Sequence, residues 1–570
     1  MAVLKRICHF AVIAGILAGG HWLHAQQTAD TVVLHAKVYT VNAAQPWAQA
    51  IAMRGGLIEA VGSDADVAKL QGPSTKVIDA AGHLVLPGFF DSHVHFMMGS
   101  ESLQKAALDE AETLDDALRR VKDFAAANPD SKVILGRGWM YPIFGTAALP
   151  DKKYLDAILP DRPVILVAYD AHTTWVNSKA LELAGITKDT PNPPNGIIVR
   201  DAKTGEATGT LKEFAAAALL EKIIPKLTNE EEIQNILAGM KLANSFGITH
   251  VYSVQDDSDH MDLYDTIRAR NEQTLRIYFG TLCQAPALTK EFLDKAEALR
   301  STYHDEWYTA GAIKFFGDGV IESHTAAMLA PYSDDPSTSG HLNWDPEKYN
   351  AAVLELDRRG FQIFTHAIGD RAIRMALDGY EQAHKINARP DSRDRVEHIE
   401  DPGTDDIPRF GKLHVLASMQ PLHAYPNDDN LHVWARNVGP VREQNAWPWH
   451  QILTSGGQLT FGSDWPVVTM DPWKAIQTLM TRKTIEGTPE GGWTPQAKIS
   501  LEQAIYGYTL GAAYAGFFDK MEGSIAAGKR ADLIILSQDL FSIPAEKIHE
   551  TKVLSTLVGG TVVYQLAQQK

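Results

Sequence analysis

A chain of 570 residues is longer than one ordinary domain and has room for a large barrel with a satellite domain. Apolar residues make up 45% and charged residues 22%, a globular balance that can bury a large core. The 70 acidic residues against 53 basic ones leave a net charge of −17 with no long basic run, which argues against nucleic-acid binding.

The chain opens MAVLKRICHFAVIAGILAGGHWLHAQQ. Basic Lys5 and Arg6 precede an apolar stretch over 7–19, and Leu23-His24-Ala25 resembles a small-residue cleavage site. The pattern predicts a signal peptide over 1–25 and export to the periplasm or the medium. The apolar run is shorter than the roughly 20 residues a span requires, so no stable membrane span is expected after cleavage. Of two cysteines, Cys8 lies in this leader and Cys283 remains. No intrachain disulfide or cysteine metal cluster is then available, and any metal must be held by His, Asp, Glu or Lys.

From about 30 to 76 the text is short and alternating, and Gly55-Gly56 separates two apolar runs as a hairpin would. The C-terminal text is alike, with Gly559-Gly560 as its hairpin signal. Residues 26–86 and 516–570 are therefore expected to pair into one small β-sandwich. Between them, residues 87–515 alternate strand-like runs at 84–96, 249–254, 276–281, 312–318, 362–366, 395–400, 415–420 and 459–464 with helical stretches such as EEEIQNILAGMKLANSF. Eight strands alternating with helices predict a (β/α)8 TIM barrel of the α/β class. The gap between the first two strands is too long for one crossover, which predicts an inserted subdomain at about 130–230. The segment MGSESL is expected to begin a helix with Ser100 as its N-cap.

His93 and His95 stand two apart, so on a strand both imidazoles face the same side. Two histidines converging at a barrel rim suit a divalent metal, usually zinc, although such a pair also occurs in ordinary loops. Further polar residues follow short apolar runs: Lys314 in the fourth strand, His366 after the fifth, His398 after the sixth and Asp464 after the eighth. A single buried histidine is commonly a hydrogen-bonded core residue; four histidines and an aspartate at successive strand ends are harder to explain that way.

The motifs LPGFFDSHVHF, IKFFGDGVIESHTAAM, THAIGDRAI, RVEHIE and FGSDWPV resemble those of the amidohydrolase superfamily, and most closely its amidohydrolase family 3, the YtcJ-like branch. GSIAAGKRADLIIL resembles that family's return to the small β domain, and DAHTTWVNSKAL with GTLKE resembles the insertion of that branch. The resemblance implies that His93 and His95 bind a first metal and that His366 and His398 bind a second or complete a single site. It implies that Asp464 touches both metal and the attacking water, and that Lys314 occupies the position of a carboxylated, bridging lysine. An unmodified ammonium cannot ligate a cation, but burial lowers a lysine pKa and frees the amine to capture carbon dioxide. A metal lowers the pKa of its water from roughly 15.7 toward 7. Asp464 is then the expected catalytic base for attack on a carbonyl and the acid for a leaving amine.

Trp139, His172 and Asp318 are the expected substrate-binding residues. Packing in a core explains Trp139 as well, and Ala171 stands where relatives commonly show glycine, which unsettles the loop shape at His172. Arg395 and Glu397 read as a structural ion pair, and Asp91 as a group orienting an imidazole. The expected activity is metal-dependent hydrolysis of a C–N amide-type bond in a small molecule, N-acyl or N-formyl compounds being favoured. The rivals are cyclic-amide opening, ester cleavage or deamination at the same site, and a non-catalytic periplasmic binding protein on the same barrel. Metal number, one or two, and self-association into a homo-oligomer are left open by the sequence.

Overall fold

The computed structural model describes residues 28–567 apart from 110, 146–148, 170–172, 195, 285–287 and 390. The expected leader over 1–25 and His172 lie outside the described residues. Among those described, no helix is long and apolar enough to cross a membrane.

The centre is an eight-stranded parallel sheet: β1 (Phe89–Val94), β2 (Ile248–Ser253), β3 (Arg276–Leu282), β4 (Tyr308–Phe316), β5 (Gln362–Ala367), β6 (Arg395–His398), β7 (Leu416–Met419) and β8 (Gln458–Phe461). Neighbours in this order pair in parallel. Closure of β8 onto β1 uses single contacts. Ser92 Oγ donates to the Phe461 carbonyl at 2.7 Å, the Asp464 amide to His93 O at 2.7 Å and the His95 amide to Trp465 O at 2.8 Å. The result is the expected TIM barrel. Phe90, Tyr252, Tyr278, Ala312, Phe364 and Leu416 form its buried interior, so the barrel is packed rather than hollow. Its helices start where side chains satisfy the first free amides. The crossover helix Asn229–Ser245, for example, begins at a reciprocal Thr228–Glu231 capping box.

The stretch 84–96, expected as one strand, divides into Leu84–Pro87 and β1. Gly88 marks the break: a Cβ there would lie 2.3 Å from Thr249 Oγ1, so the chain passes β2 too closely for any side chain. Leu84–Pro87 belongs instead to a six-stranded sheet in the order Thr561–Gln565, Val553–Val558, Leu533–Leu536, Leu84–Pro87, Lys37–Tyr39, Trp47–Ala48. Both chain ends contribute to that sheet. A four-stranded sheet, Leu57–Gly62, Ala50–Arg54, Thr31–Leu34, Lys76–Asp79, comes from the N-terminal segment alone. Val33, Ile51 and Met53 of the second sheet pack with Val38, Val85, Leu533 and Leu557 of the first. Both diglycines turn hairpins, with φ of +56° and +79° at Gly55-Gly56 and +55° and +73° at Gly559-Gly560.

The inserted subdomain is a mixed six-stranded sheet, ordered Ile197–Arg200, Ala207–Lys212, Thr173–Val176, Val164–Ala168, Ile134–Trp139, Ala106–Ala107. It starts at Ala106, earlier than residue 130, because a two-residue edge strand is too short to show a pattern in sequence. The helix after β1 runs Phe96–Ser102, with His95 at its N-cap. Ser100 is therefore a buried residue within the helix, not its cap; the first intrahelical bond already joins the Gly99 amide to His95 O at 2.8 Å.

Candidate metal centre and active site

The barrel's strand ends bring His93, His95, Lys314, His366, His398 and Asp464 into one buried cluster. One donor atom from each of His93, His398 and Asp464 lies within 4.8 Å of the other two. Asp464 Oδ1 is 3.1 Å from His95 Nε2 and 3.4 Å from His93 Nε2. The Lys314 amine is 3.2 Å from His93 Nε2. The His398 ring packs against those of His93 and His366 at centroid distances of 4.9 and 4.4 Å. His366 itself turns Nε2 toward the Gly319 carbonyl at 3.1 Å.

Two of these residues hold strained backbone. His398 has φ of +73° and Asp464 +63°, the left-handed region that non-glycine residues seldom occupy. Such strain persists where the surroundings over-determine a conformation, as at a functional site.

Glu397 and Arg395 brace the cluster from below. Glu397 Oε2 accepts from His93 Nδ1 at 2.6 Å, while Arg395 Nε and Nη2 grip the two carboxylate oxygens at 2.8 and 2.9 Å. Arg395 Nη2 also donates to Ser92 O at 2.6 Å and Ser418 Oγ at 2.8 Å, tying β6 to β1 and β7. The ion pair expected of these residues is present, and its carboxylate also fixes the His93 tautomer, leaving Nε2 toward the cluster. Asp91, expected to orient an imidazole, instead accepts backbone amides from Ser463 at 2.8 Å and His93 at 3.3 Å. The barrel seam needs that carboxylate, and Glu397 takes the imidazole.

Electrostatics favour uncharged ligands. Burial first, then the Lys314 charge, pushes His93 down to about 4 and His366 down to about 3. Burial and His366 hold His398 well below its ordinary value. Neutral imidazole is the form that ligates a metal. Burial pushes Lys314 down to about 8, against the opposing pull of Glu397 and Asp464. For Asp464 burial acts upward, but His93 and His95 overcome it and hold the carboxyl well below its usual range.

The donor set fits a divalent ion. His95 Nδ1 and His398 Nδ1 are buried without a hydrogen-bond partner among the described residues, and Asp464 Oδ1 meets the Nε2 atoms of His95 and His93. Imidazole nitrogens with a carboxylate oxygen suit zinc and its first-row neighbours.

Two expected substrate contacts have other roles. Trp139 is fully buried in the core of the insertion, edge-on to Tyr141, Phe144 and Trp175, with Nε1 donating to Leu166 O at 3.0 Å. Asp318 accepts the amides of Ala327, Gly369 and Ile368 at 2.8, 2.9 and 3.1 Å. It braces the loops after β4 and β5, and burial raises its carboxyl to about 8. His423, by contrast, joins the site without a prior sequence signal. It sits in a turn beyond β7, 3.5 Å from Asp464 Oδ2 and 3.4 Å from Glu400 Oε1, its ring parallel to that of His398. Glu400 Oε2 accepts Trp434 Nε1 at 2.8 Å. His423 follows Pro421 and a turn rather than an apolar run, so the strand-end pattern that exposes the other histidines does not reach it.

Residues 76–564 match the profile described as the amidohydrolase family, and the chain belongs to that family. YtcJ of Bacillus subtilis (strain 168) is 29% identical over 93% of this chain and 98% of its own length. N-substituted formamide deformylase of Arthrobacter pascens is 27% identical, covering 95% of this chain and 99% of its own. Among solved structures, an uncharacterised metal-dependent hydrolase of Pyrococcus horikoshii OT3 superposes with a TM-score of 0.72 at 24% identity, over 90% of this chain and 99% of that one. The family makes the chain an amidohydrolase, and the superposition shows that it shares this fold.

Proposed function

We propose that this protein hydrolyses a C–N amide-type bond of a small N-acyl or N-formyl compound, outside the cytoplasm. The convergence of His93, His398 and Asp464 within 4.8 Å, ringed by His95 and Lys314, carries the reading. The full-length likeness to a formamide deformylase supports the bond type, and the leader read in residues 1–25 supports export.

His93, His95, His398 and Asp464 would hold the first ion, with Lys314 and His366 placed to extend the set. A bound divalent ion supplies Lewis acidity and makes water a nucleophile at neutral pH. The protein's own groups do the rest. Burial and the Lys314 charge keep His93 neutral, while Glu397, gripped by Arg395, accepts its Nδ1–H and fixes the ring with Nε2 toward the cluster. The Asp464 carboxylate accepts the proton of the attacking water as the C–O bond forms. It returns that proton to the amide nitrogen as the C–N bond breaks, releasing a carboxylic acid and an amine. Lys314, its pKa lowered by burial to about 8, offers a larger fraction of free amine than a surface lysine, the form that captures carbon dioxide as a carbamate.

A screen of metal-replete protein against N-formyl amines, N-acyl amino acids, cyclic amides and esters tests the proposal. Turnover of the first two classes is expected. Preference for esters or cyclic amides would refute the bond assignment, and no turnover of any class together with no bound metal would favour a binding protein.

A further inference from the structure

Arg482 directly follows the helix Pro472–Thr481, and its side chain is fully buried. The guanidinium lies 4.7 Å from the ring of Trp449 and 5.2 Å from that of Trp493. Trp493 packs in turn on Trp434 and Trp447 at 5.7 and 5.6 Å. Nε donates to the Trp493 carbonyl at 2.8 Å and Nη2 to Thr494 Oγ1, but Nη1 has no hydrogen-bond partner among the described residues.

The charge is also uncompensated. Burial alone depresses the Arg482 pKa; no carboxylate among the described residues offsets it. The two carboxylates that reach these tryptophans are engaged elsewhere: Glu443 Oε1 accepts Trp493 Nε1 at 2.7 Å, and Glu400 Oε2 accepts Trp434 Nε1. The indole N–H groups of Trp447 and Trp449 have no acceptor among the described residues. Lys483 follows in sequence, but Glu546 lies 3.9 Å from its amine and answers that charge rather than the guanidinium of Arg482. Gln451 Oε1, an unmet acceptor on the helix of Trp449, carries no charge.

A guanidinium does not deprotonate in proteins, and burying it without a counter-charge is strongly unfavourable. Aromatic faces attract the cation but accept none of its N–H bonds along their edges. A water molecule can satisfy a donor, yet it leaves the charge in place. Three donors and one fixed positive charge, with no anionic partner, define the chemistry of the missing group. We propose that this tryptophan cage is an anion site, binding a small monovalent anion of the halide class between Arg482 Nη1 and the indole N–H of Trp449. None of its residues is one of the metal-ligand candidates, the nearest link between the two being Trp434, which packs on Trp493 and donates to Glu400, and the site does not depend on the proposed reaction.

Bromide tests the site directly on the unaltered protein. Crystals equilibrated in sodium bromide and measured above the bromine edge should show an anomalous peak against Arg482 Nη1. The absence of that peak, with water density there instead, would overturn the proposal. In solution, replacing gluconate by chloride at constant ionic strength should raise the unfolding midpoint by about 3 °C and then saturate. Trp449→Phe keeps the ring and removes the donor, and should shift the chloride midpoint at least about tenfold upward. Arg482→Met should abolish the chloride response. Should that variant not fold, the bromide map and the Trp449→Phe titration decide. A chloride response of the same midpoint in Trp449→Phe would also contradict the site.

Discussion

The two ends of the barrel bury similar residues and treat them differently. At the N-terminal end, where the barrel meets the β-sandwich, Arg276 grips Asp532 with Nε at 2.8 Å and Nη2 at 3.1 Å and gives Nη1 to Glu306 O at 2.7 Å. Glu522 accepts from His250 Nδ1 at 2.8 Å and from Arg530, and although burial acts upward, His250 and Arg276 bring its pKa down to about 2. Apart from His250 Nε2, each charged group there has a partner. At the C-terminal end, His95 Nδ1 and His398 Nδ1 lack hydrogen-bond partners among the described residues, and the ligand-type residues His398 and Asp464 sit at positive φ. The first arrangement holds two domains together. The second keeps donors available and conformations strained, the departure from self-consistency expected at a functional site.

Breaking each end should therefore give different losses. Asp464→Asn suits the C-terminal end, because asparagine tolerates the left-handed backbone that Asp464 adopts. Hydrolysis, followed as kcat/KM, should fall by about 10³-fold or more, with the unfolding midpoint nearly kept. Full activity would remove Asp464 from the reaction. At the other end, Asp532→Ala removes the bidentate partner of buried Arg276 and leaves it only Glu306, which should cost about 3–5 kcal/mol in denaturant unfolding. The folded protein should retain its metal content. Glu397→Gln acts between these extremes, since it loosens His93 without removing a ligand. Metal affinity, measured by competition with a chelator, should weaken by about 10–100-fold. Unaltered affinity would show that the Glu397–His93 bond does not tune the site.

The smallest effect belongs to a structural histidine at the N-terminal end, where its partner Asp394 accepts the Ile363 amide. His384 Nε2 lies 3.0 Å from Asp394 and 2.7 Å from Ser392 Oγ. Burial lowers its pKa, but Asp394 outweighs burial and the net shift is upward. A folded pKa raised above the unfolded value contributes stability that is complete below about 6.5 and is lost as pH rises through the folded pKa. The stability difference between the native protein and His384→Gln should thus be larger at pH 5.5 than at pH 8.5. Equal differences at both pH values would show that the pair does not titrate.

Much of the C-terminal rim was legible because each ligand-type residue ends a short apolar run, as in RVEHIE and FGSDWPV. The hairpins were legible because each diglycine supplies two consecutive positive φ values. Other features have no such local signature. The break at Gly88 is set by the approach of Thr249, distant in sequence, and the two-residue strand Ala106–Ala107 forms only by pairing with Gly136 and Arg137. Trp139 and Asp318 carried a local motif, but tertiary packing assigns one to the insertion's core and the other to three backbone amides. His423 reaches Asp464 through a turn, so only the folded barrel reveals it.

The central claim is that the C-terminal rim holds a catalytic divalent ion. Elemental analysis of the purified protein and of His398→Asn, in which asparagine again tolerates a positive φ, tests it most directly. The native protein should carry at least about one equivalent of a divalent metal such as zinc, and the variant clearly less. A native protein that binds no metal after zinc loading, or a variant that keeps the full complement, would contradict it.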